Sequence, residues 1–190
     1  MQLSNDRPGC GAIWAGLTAG FITVWPVLLA GSWLQSHIQL PYRSLESALL
    51  YAALPEELIK GLAIFLVFRF LNSPPFWVGL GFGFSETVFM LTSGIWASRL
   101  LSSIPLHTGT AAITGCGILF VLTLNKPSFW NFFSRIIAAV LLLCSSILIH
   151  WIYNIAARNH SWMHYAFAWL AIIIGFSLWR IIYKRMTYTP

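Results

Sequence analysis

The chain has 190 residues, 58% of them hydrophobic and 8% charged, with a formal net charge of +6. A soluble domain covers itself with roughly 25% charged residues, so 11 basic and 5 acidic side chains exclude a water-soluble globular protein. The cations fall singly or in pairs between apolar runs, not on one polar face, which also excludes a nucleic-acid binder.

A membrane-spanning helix needs about 20 mostly apolar residues. Runs of that kind predict six spans, at 11–34, 45–71, 76–98, 104–124, 132–157 and 162–183. They lack strand alternation, and backbone groups in hydrocarbon must bond internally, so the fold class is all-α: a polytopic membrane bundle forming one domain over residues 1–190. Short polar linkers are expected at 35–44, 72–75, 99–103, 125–131 and 158–161. The first ten residues lack the apolar core of a cleavable signal peptide. Arg7, Arg69, Lys126, Arg135, Arg180, Lys184 and Arg185 fall on the side shared by both ends, against Arg43, Arg99 and Arg158 on the other. That bias predicts cytoplasmic termini in a multi-pass plasma (inner) membrane protein. Cys10, Cys116 and Cys144 form no CxxC pair and read as buried, inert thiols.

The second span carries Pro55 ten residues into its apolar run, so a kinked helix or a short outer helix must precede a main helix that starts at Glu56. Either form lowers Glu56 and Glu57 into the membrane. An ionisable group at bilayer depth costs ~2.5–3.5 kcal/mol and marks function. Of the five acids, Asp6 lies in the tail and Glu46 at the outer edge, which leaves Glu56, Glu57 and Glu86 inside the membrane. Glu56 and Lys60 stand at i, i+4, the favoured order for an ion pair. Glu57 points about 100° away from Glu56, so the two acids have different roles. In the third span, Gly79, Gly81 and Gly83 precede Glu86, which lies roughly 15 Å deep at 1.5 Å per residue. His107 opens the fourth span, with Gly109 and Gly115 behind it. His150 lies roughly 22 Å from the inner side of the fifth span, with Asn154 one turn further on the same face. Four spans thus bring a Glu or His to similar depth, as one shared site requires. His37, His160 and His164 lie in or beside the outer loops and are left out of it.

The chemistry narrows by elimination. An aspartyl intramembrane protease needs two membrane aspartates, and Asp6 is the sole Asp. No HExxH string occurs for a zinc type. Gly83-Phe84-Ser85 resembles the start of a rhomboid-like serine turn, but Glu86 replaces its small fourth residue. Cys144 has no arginine partner for a sortase-like thiol site. What remains is a carboxylate–imidazole site, in which a buried Glu activates water for attack on a peptide carbonyl. Asn154 and a His would donate to the tetrahedral oxyanion.

These residues carry a resemblance. Glu56-Glu57-Leu58-Ile59-Lys60 resembles the EExxK motif of the PrsW family of intramembrane proteases. Phe82-Gly83-Phe84-Ser85-Glu86 resembles its FxxxE motif, followed by His107 on the next span. His150-Trp151-Ile152-Tyr153-Asn154 resembles the closing HxxxN, shared with the wider superfamily of CAAX prenyl endopeptidases and bacteriocin-processing proteins. The strings run from Pro55 to Asn154, about half the chain. On the CAAX side the first motif ends EExxxR and the second carries His where Glu86 stands, which tilts the match to PrsW. The resemblance implies a glutamate-dependent endopeptidase with Glu56 as base and Glu57 as its support. Glu86, His107 and His150 would shape the water and transition state. PrsW proteins cleave a membrane-anchored anti-sigma factor on its outer side, so the implied partners are the bilayer and a single-span protein or lipidated peptide.

Other classes use similar residues. A proton-coupled transporter or channel also places Glu and His in mid-membrane, but it would show inverted repeats or broken paired helices. Haem would want His107 and His150 clear of carboxylates. Zinc is possible, with Glu56, Glu86, His107 and His150 as ligands. A metal-free site is favoured, because Lys60 beside Glu56 repels a dication.

Overall fold

The computed structural model describes residues 9–41, 44–91, 96–122 and 129–187, without the side chains of 96–97, 129 and 185–187. The bundle is helical throughout, as the apolar runs require. Helix α1 spans Cys10–His37 and α2 spans Leu45–Ala48; α3, Leu54–Leu71, follows a π-helical turn at Leu49–Ala53. Then come α4 (Pro75–Phe89), α5 (Trp96–Leu122), α6 (Phe129–Arg158) and α7 (Met163–Thr187). Among the described residues, α1, α6, α7 and the Ser98–Leu122 part of α5 are each long and apolar enough to cross a membrane.

The second span resolves its proline by a change of helical pitch. Ser44 caps α2 by accepting from the Ser47 amide at 3.0 Å. The Leu54 amide donates back to the Leu49 carbonyl, five residues away. Pro55 has no amide to donate and sits in the first turn of α3, where none is needed. A widened turn therefore delivers Glu56 and Glu57 to the head of α3 without breaking the chain's course. Asn72, at φ 53°, ends α3 in the left-handed conformation.

The next two spans differ from expectation. Helix α4 stops at Phe89, and residues 99–103 are not a linker but the second turn of α5. Arg99, Ser102 and Ser103 read as loop in composition, yet both hydroxyls are satisfied in place, Ser103 by Glu86. Ser102 Oγ donates to the Ser98 carbonyl at 2.8 Å, and Thr108 Oγ1 to that of Ile104 at 2.7 Å. Arg43, Lys126 and Arg7 lie outside the described residues. The thiol expectation needs correction too. Cys116 is buried in the bundle, but Cys10 is exposed and Cys144 faces outward from α6.

Helix α5 is the axis. Its inner part packs Ala112, Cys116 and Leu119 against Phe68 of α3 and Trp179 of α7. Glycine brings α4 against it. A Cβ at Gly79 would fall 2.6 Å from the Ala111 Cβ, and one at Gly83 2.8 Å from the Ile104 Cα. That close approach sets Glu86, one turn beyond Gly83, beside His107.

Candidate active site

Helices α3, α4, α5 and α6 bring Glu56, Glu57, Lys60, Glu86, His107 and His150 together, while the Asn154 side chain, one turn beyond His150, makes no hydrogen bond with them and does not line the cleft. Glu57 and Lys60 are fully buried and paired, with Nζ 2.6 Å from Oε1. The expected Glu56–Lys60 pair does not form. Lys60 points into the bundle, where its three protons meet Glu57, His107 Nδ1 at 3.1 Å and Thr110 Oγ1 at 3.1 Å. Glu56 instead faces a cleft. A buried charge needs this degree of compensation, since an unpaired one costs several kcal/mol.

The histidines are oriented by their partners. Glu57 Oε1, an acceptor, holds His150 Nδ1 at 2.8 Å, which places the proton on Nδ1 and turns Nε2 toward Glu56. His150 Nε2 lies 3.3 Å from Glu56 Oε2, yet that oxygen makes no hydrogen bond. His107 accepts from Lys60 at Nδ1, so its Nε2 carries the proton that Glu86 Oε2 receives at 2.9 Å. The two imidazoles meet edge to face, with ring centroids 5.0 Å apart. Glu86 is clamped a second time by Ser103 Oγ, and its other oxygen lies 3.5 Å from Arg99 Nη1. Asn154 Nδ2 is buried without a hydrogen-bond partner.

Glu56 and Glu86 line a cavity of about 310 Å³ between α1, the π turn and α4. Its walls are Val24, Val27, Leu28, Phe82 and Phe89, with Gln35 and Tyr51 toward its polar end. An apolar cleft floored by two carboxylates suits a peptide segment better than an ion path.

The arrangement also bears on metal. Glu56, His107 and His150 each offer one ligand atom, and the three atoms lie within 4.8 Å of one another. Three protein ligands with one position open is the pattern of a catalytic zinc site. The unbonded Glu56 Oε2 facing His150 Nε2 at 3.3 Å fits two ligands of one ion, which stand about 3.3 Å apart around a tetrahedral zinc. Glu86 falls outside this trio. His107 fits by kind, but it must release one hydrogen bond to ligate. Because Lys60 is paired with Glu57, the electrostatic argument for a metal-free site loses its main support.

Several contributors escaped the sequence reading. Arg99, Ser103 and Thr110 share a helical face with His107, at spacings of four, four and three, but a linker assigned to 99–103 hid that face. Tyr153, fully buried, donates or accepts at Ser102 Oγ at 2.9 Å and sits 3.5 Å from Arg99.

Fold and site together define a helical membrane protein with a buried glutamate–histidine centre open to an apolar cleft. The model of the PrsW family intramembrane metalloproteases matches residues 9–179, and the chain belongs to that family of intramembrane proteases. No curated protein and no solved structure matches it.

Proposed function

We propose that this protein is an endopeptidase that hydrolyses a peptide bond of a membrane-anchored substrate in the cleft beside Glu56 and Glu86. The observation that carries the reading is the unpartnered Glu56 oxygen, aimed at His150 Nε2 in a cavity floored by carboxylates. Both termini are cytoplasmic and the cleft opens in the outer half of the plasma (inner) membrane. With Arg99 inside the bundle, the basic-residue bias is seven against two. The substrate is a single-span protein or a lipidated peptide.

Glu56 accepts a proton from the attacking water as its oxygen adds to the scissile carbonyl carbon. The same proton is returned to the departing amine nitrogen when the C–N bond breaks. Asn154 Nδ2, which has no partner of its own, donates to the developing oxyanion. Glu57 fixes the His150 ring, and Lys60 fixes Glu57. Glu86, held by His107, Ser103 and Arg99, is the fixed anion that keeps His107 in place. An ion would be held by Glu56, His107 and His150, with one Glu56 oxygen left to take the proton. Bound there, zinc would polarise a carbonyl and acidify a water.

The test is cleavage of a library of single-span peptides by the protein in liposomes. Glu56→Gln should lose at least about 10²–10⁴-fold in turnover while the protein inserts and folds normally. Near-wild-type cleavage by that variant would end the glutamate assignment. Treatment with a membrane-permeable chelator should remove one bound ion and the activity together, and stoichiometric Zn²⁺ should restore both. Full activity with no metal by elemental analysis would leave a bare glutamate–histidine site.

A further inference from the structure

A second cavity, of about 360 Å³, lies beneath the α6–α7 turn and is lined by Arg99, Ser102, Tyr153, His160, His164 and Tyr165. Its walls combine a guanidinium, hydroxyls and imidazoles with Ala157 and Trp162, and the Glu56 cleft combines Glu56, Glu86, Ser32, Gln35 and Tyr51 with valine, leucine and phenylalanine. Among the described residues none lines both. They meet at an ion pair: Glu86 borders the cleft, Arg99 borders the second cavity, and Arg99 Nη1 is 3.5 Å from Glu86 Oε1. The same nitrogen is 3.5 Å from the Tyr153 hydroxyl, which bonds Ser102 Oγ at 2.9 Å.

Hydrolysis consumes one water per bond, and hydrocarbon supplies none. A peptide seated in the Glu56 cleft would close that route to water at the moment water is needed. Buried water persists where a cavity is roomy and gives each molecule two to four polar partners. At ~30 Å³ per molecule, this one has room for about twelve. The geometry points to the second cavity as the water reservoir of the active site, with Arg99 as the positioning residue that holds Glu86 at its inner wall. The assignment rests on the hydrolytic reading, because only a hydrolase needs a water supply separate from its substrate path.

X-ray radiolytic hydroxyl labelling of the protein in liposomes detects water beside buried side chains and requires no substrate. Tyr153 is 1% exposed and Phe68 4% exposed, so surface access does not favour Tyr153. Tyr153, at the second cavity, should label at least fivefold faster than Phe68, in the apolar core beside Trp179. Ala157→Trp and Ser98→Trp, which fill the second cavity from two sides, should cut Tyr153 labelling at least fivefold. Each should also lower kcat on a cleaved single-span peptide at least tenfold, with KM within twofold. Equal labelling of Tyr153 and Phe68 in the wild type overturns the inference. So does unchanged Tyr153 labelling in both tryptophan variants, or normal kcat in a variant whose labelling is lost. A protein that labels as expected and cleaves no peptide sinks the protease reading instead.

Discussion

Helices α5 and α6 are both of membrane length, and they live in opposite environments. An 18-residue stretch of α5 is 78% buried within the bundle, whereas the equivalent stretch of α6 is 6% buried. Helix α5 is the more polar of the two, with Ser102, Ser103, His107, Thr108, Thr110 and Thr114 all buried. Helix α6 turns Ile137, Val140, Leu141 and Leu148 outward and commits only one stripe, Ser146, His150 and Tyr153, to the interior. In water the most apolar element would be the core. In lipid there is no hydrophobic drive between helices, so small and hydroxylated residues mark the centre and the apolar ones mark the rim. Buried charges follow the same rule where α5 supplies His107 and Thr110 to Lys60, and His107 and Ser103 to Glu86.

The sharpest test of this contrast is the ion pair held against α5. Lys60→Met leaves Glu57 buried with Thr110 and His150 but no cation, and breaking a buried pair this way costs about 3–5 kcal/mol. Reversible unfolding in mixed micelles should show a loss of that size. The double variant Glu57→Gln/Lys60→Met should recover at least half of it. A single-variant loss under 1 kcal/mol would mean that water or lipid headgroups reach the pair. Next in size is Asn154→Ala, on the interior stripe of α6. It should lower kcat by about 10²–10³-fold, equivalent to about 2.7–4 kcal/mol, with KM little changed. Loss confined to KM would make Asn154 a substrate contact and take the oxyanion role from it.

The same contrast explains what could be read in the sequence. Spans 11–34, 132–157 and 162–183 were legible from hydropathy, since few of their residues are buried in the bundle. The polar residues that break hydropathy, Glu56, Glu57, Glu86, His107 and His150, were legible as groups that must find partners inside the bundle, because an ionisable side chain at bilayer depth is costly. The boundary between α4 and α5 was not. Arg99 and Ser102–Ser103 look like a loop until the bundle supplies Glu86 and Tyr153 as partners. The choice of Glu57 over Glu56 as the partner of Lys60 was likewise invisible. Spacings i, i+3 and i, i+4 are both compatible with pairing, and His107 and Thr110 on another helix decide between them.

A smaller effect is expected where α5 and α6 touch through hydroxyls. Thr114 Oγ1 donates to Ser146 Oγ at 3.0 Å, and Ser146 Oγ donates to the Thr110 carbonyl at 3.1 Å. Ser146→Ala should cost about 0.6 kcal/mol, and not more than about 1.7, because separated helices find other partners in the bilayer. Hydrogen exchange at the α5 backbone would report any larger opening of the seam.

The smallest effect belongs to the lipid face of α6. Leu148 precedes His150 by two residues, so it points about 200° around the helix from it, and it is 49% exposed. In a soluble core, Leu→Ala costs about 2–5 kcal/mol, from lost transfer energy and a new cavity. Neither contribution applies to Leu148. Its side chain sits in hydrocarbon whether α6 is docked or separated, and lipid chains fill the space that alanine leaves. Helix propensity favours alanine slightly. Leu148→Ala should therefore leave micellar unfolding within about 0.5 kcal/mol of wild type, the range of ordinary surface changes, and turnover within twofold. A loss above 2 kcal/mol would show that this face of α6 is covered in the working protein by a second copy or another chain. The exposed rim of the bundle would then be an interface.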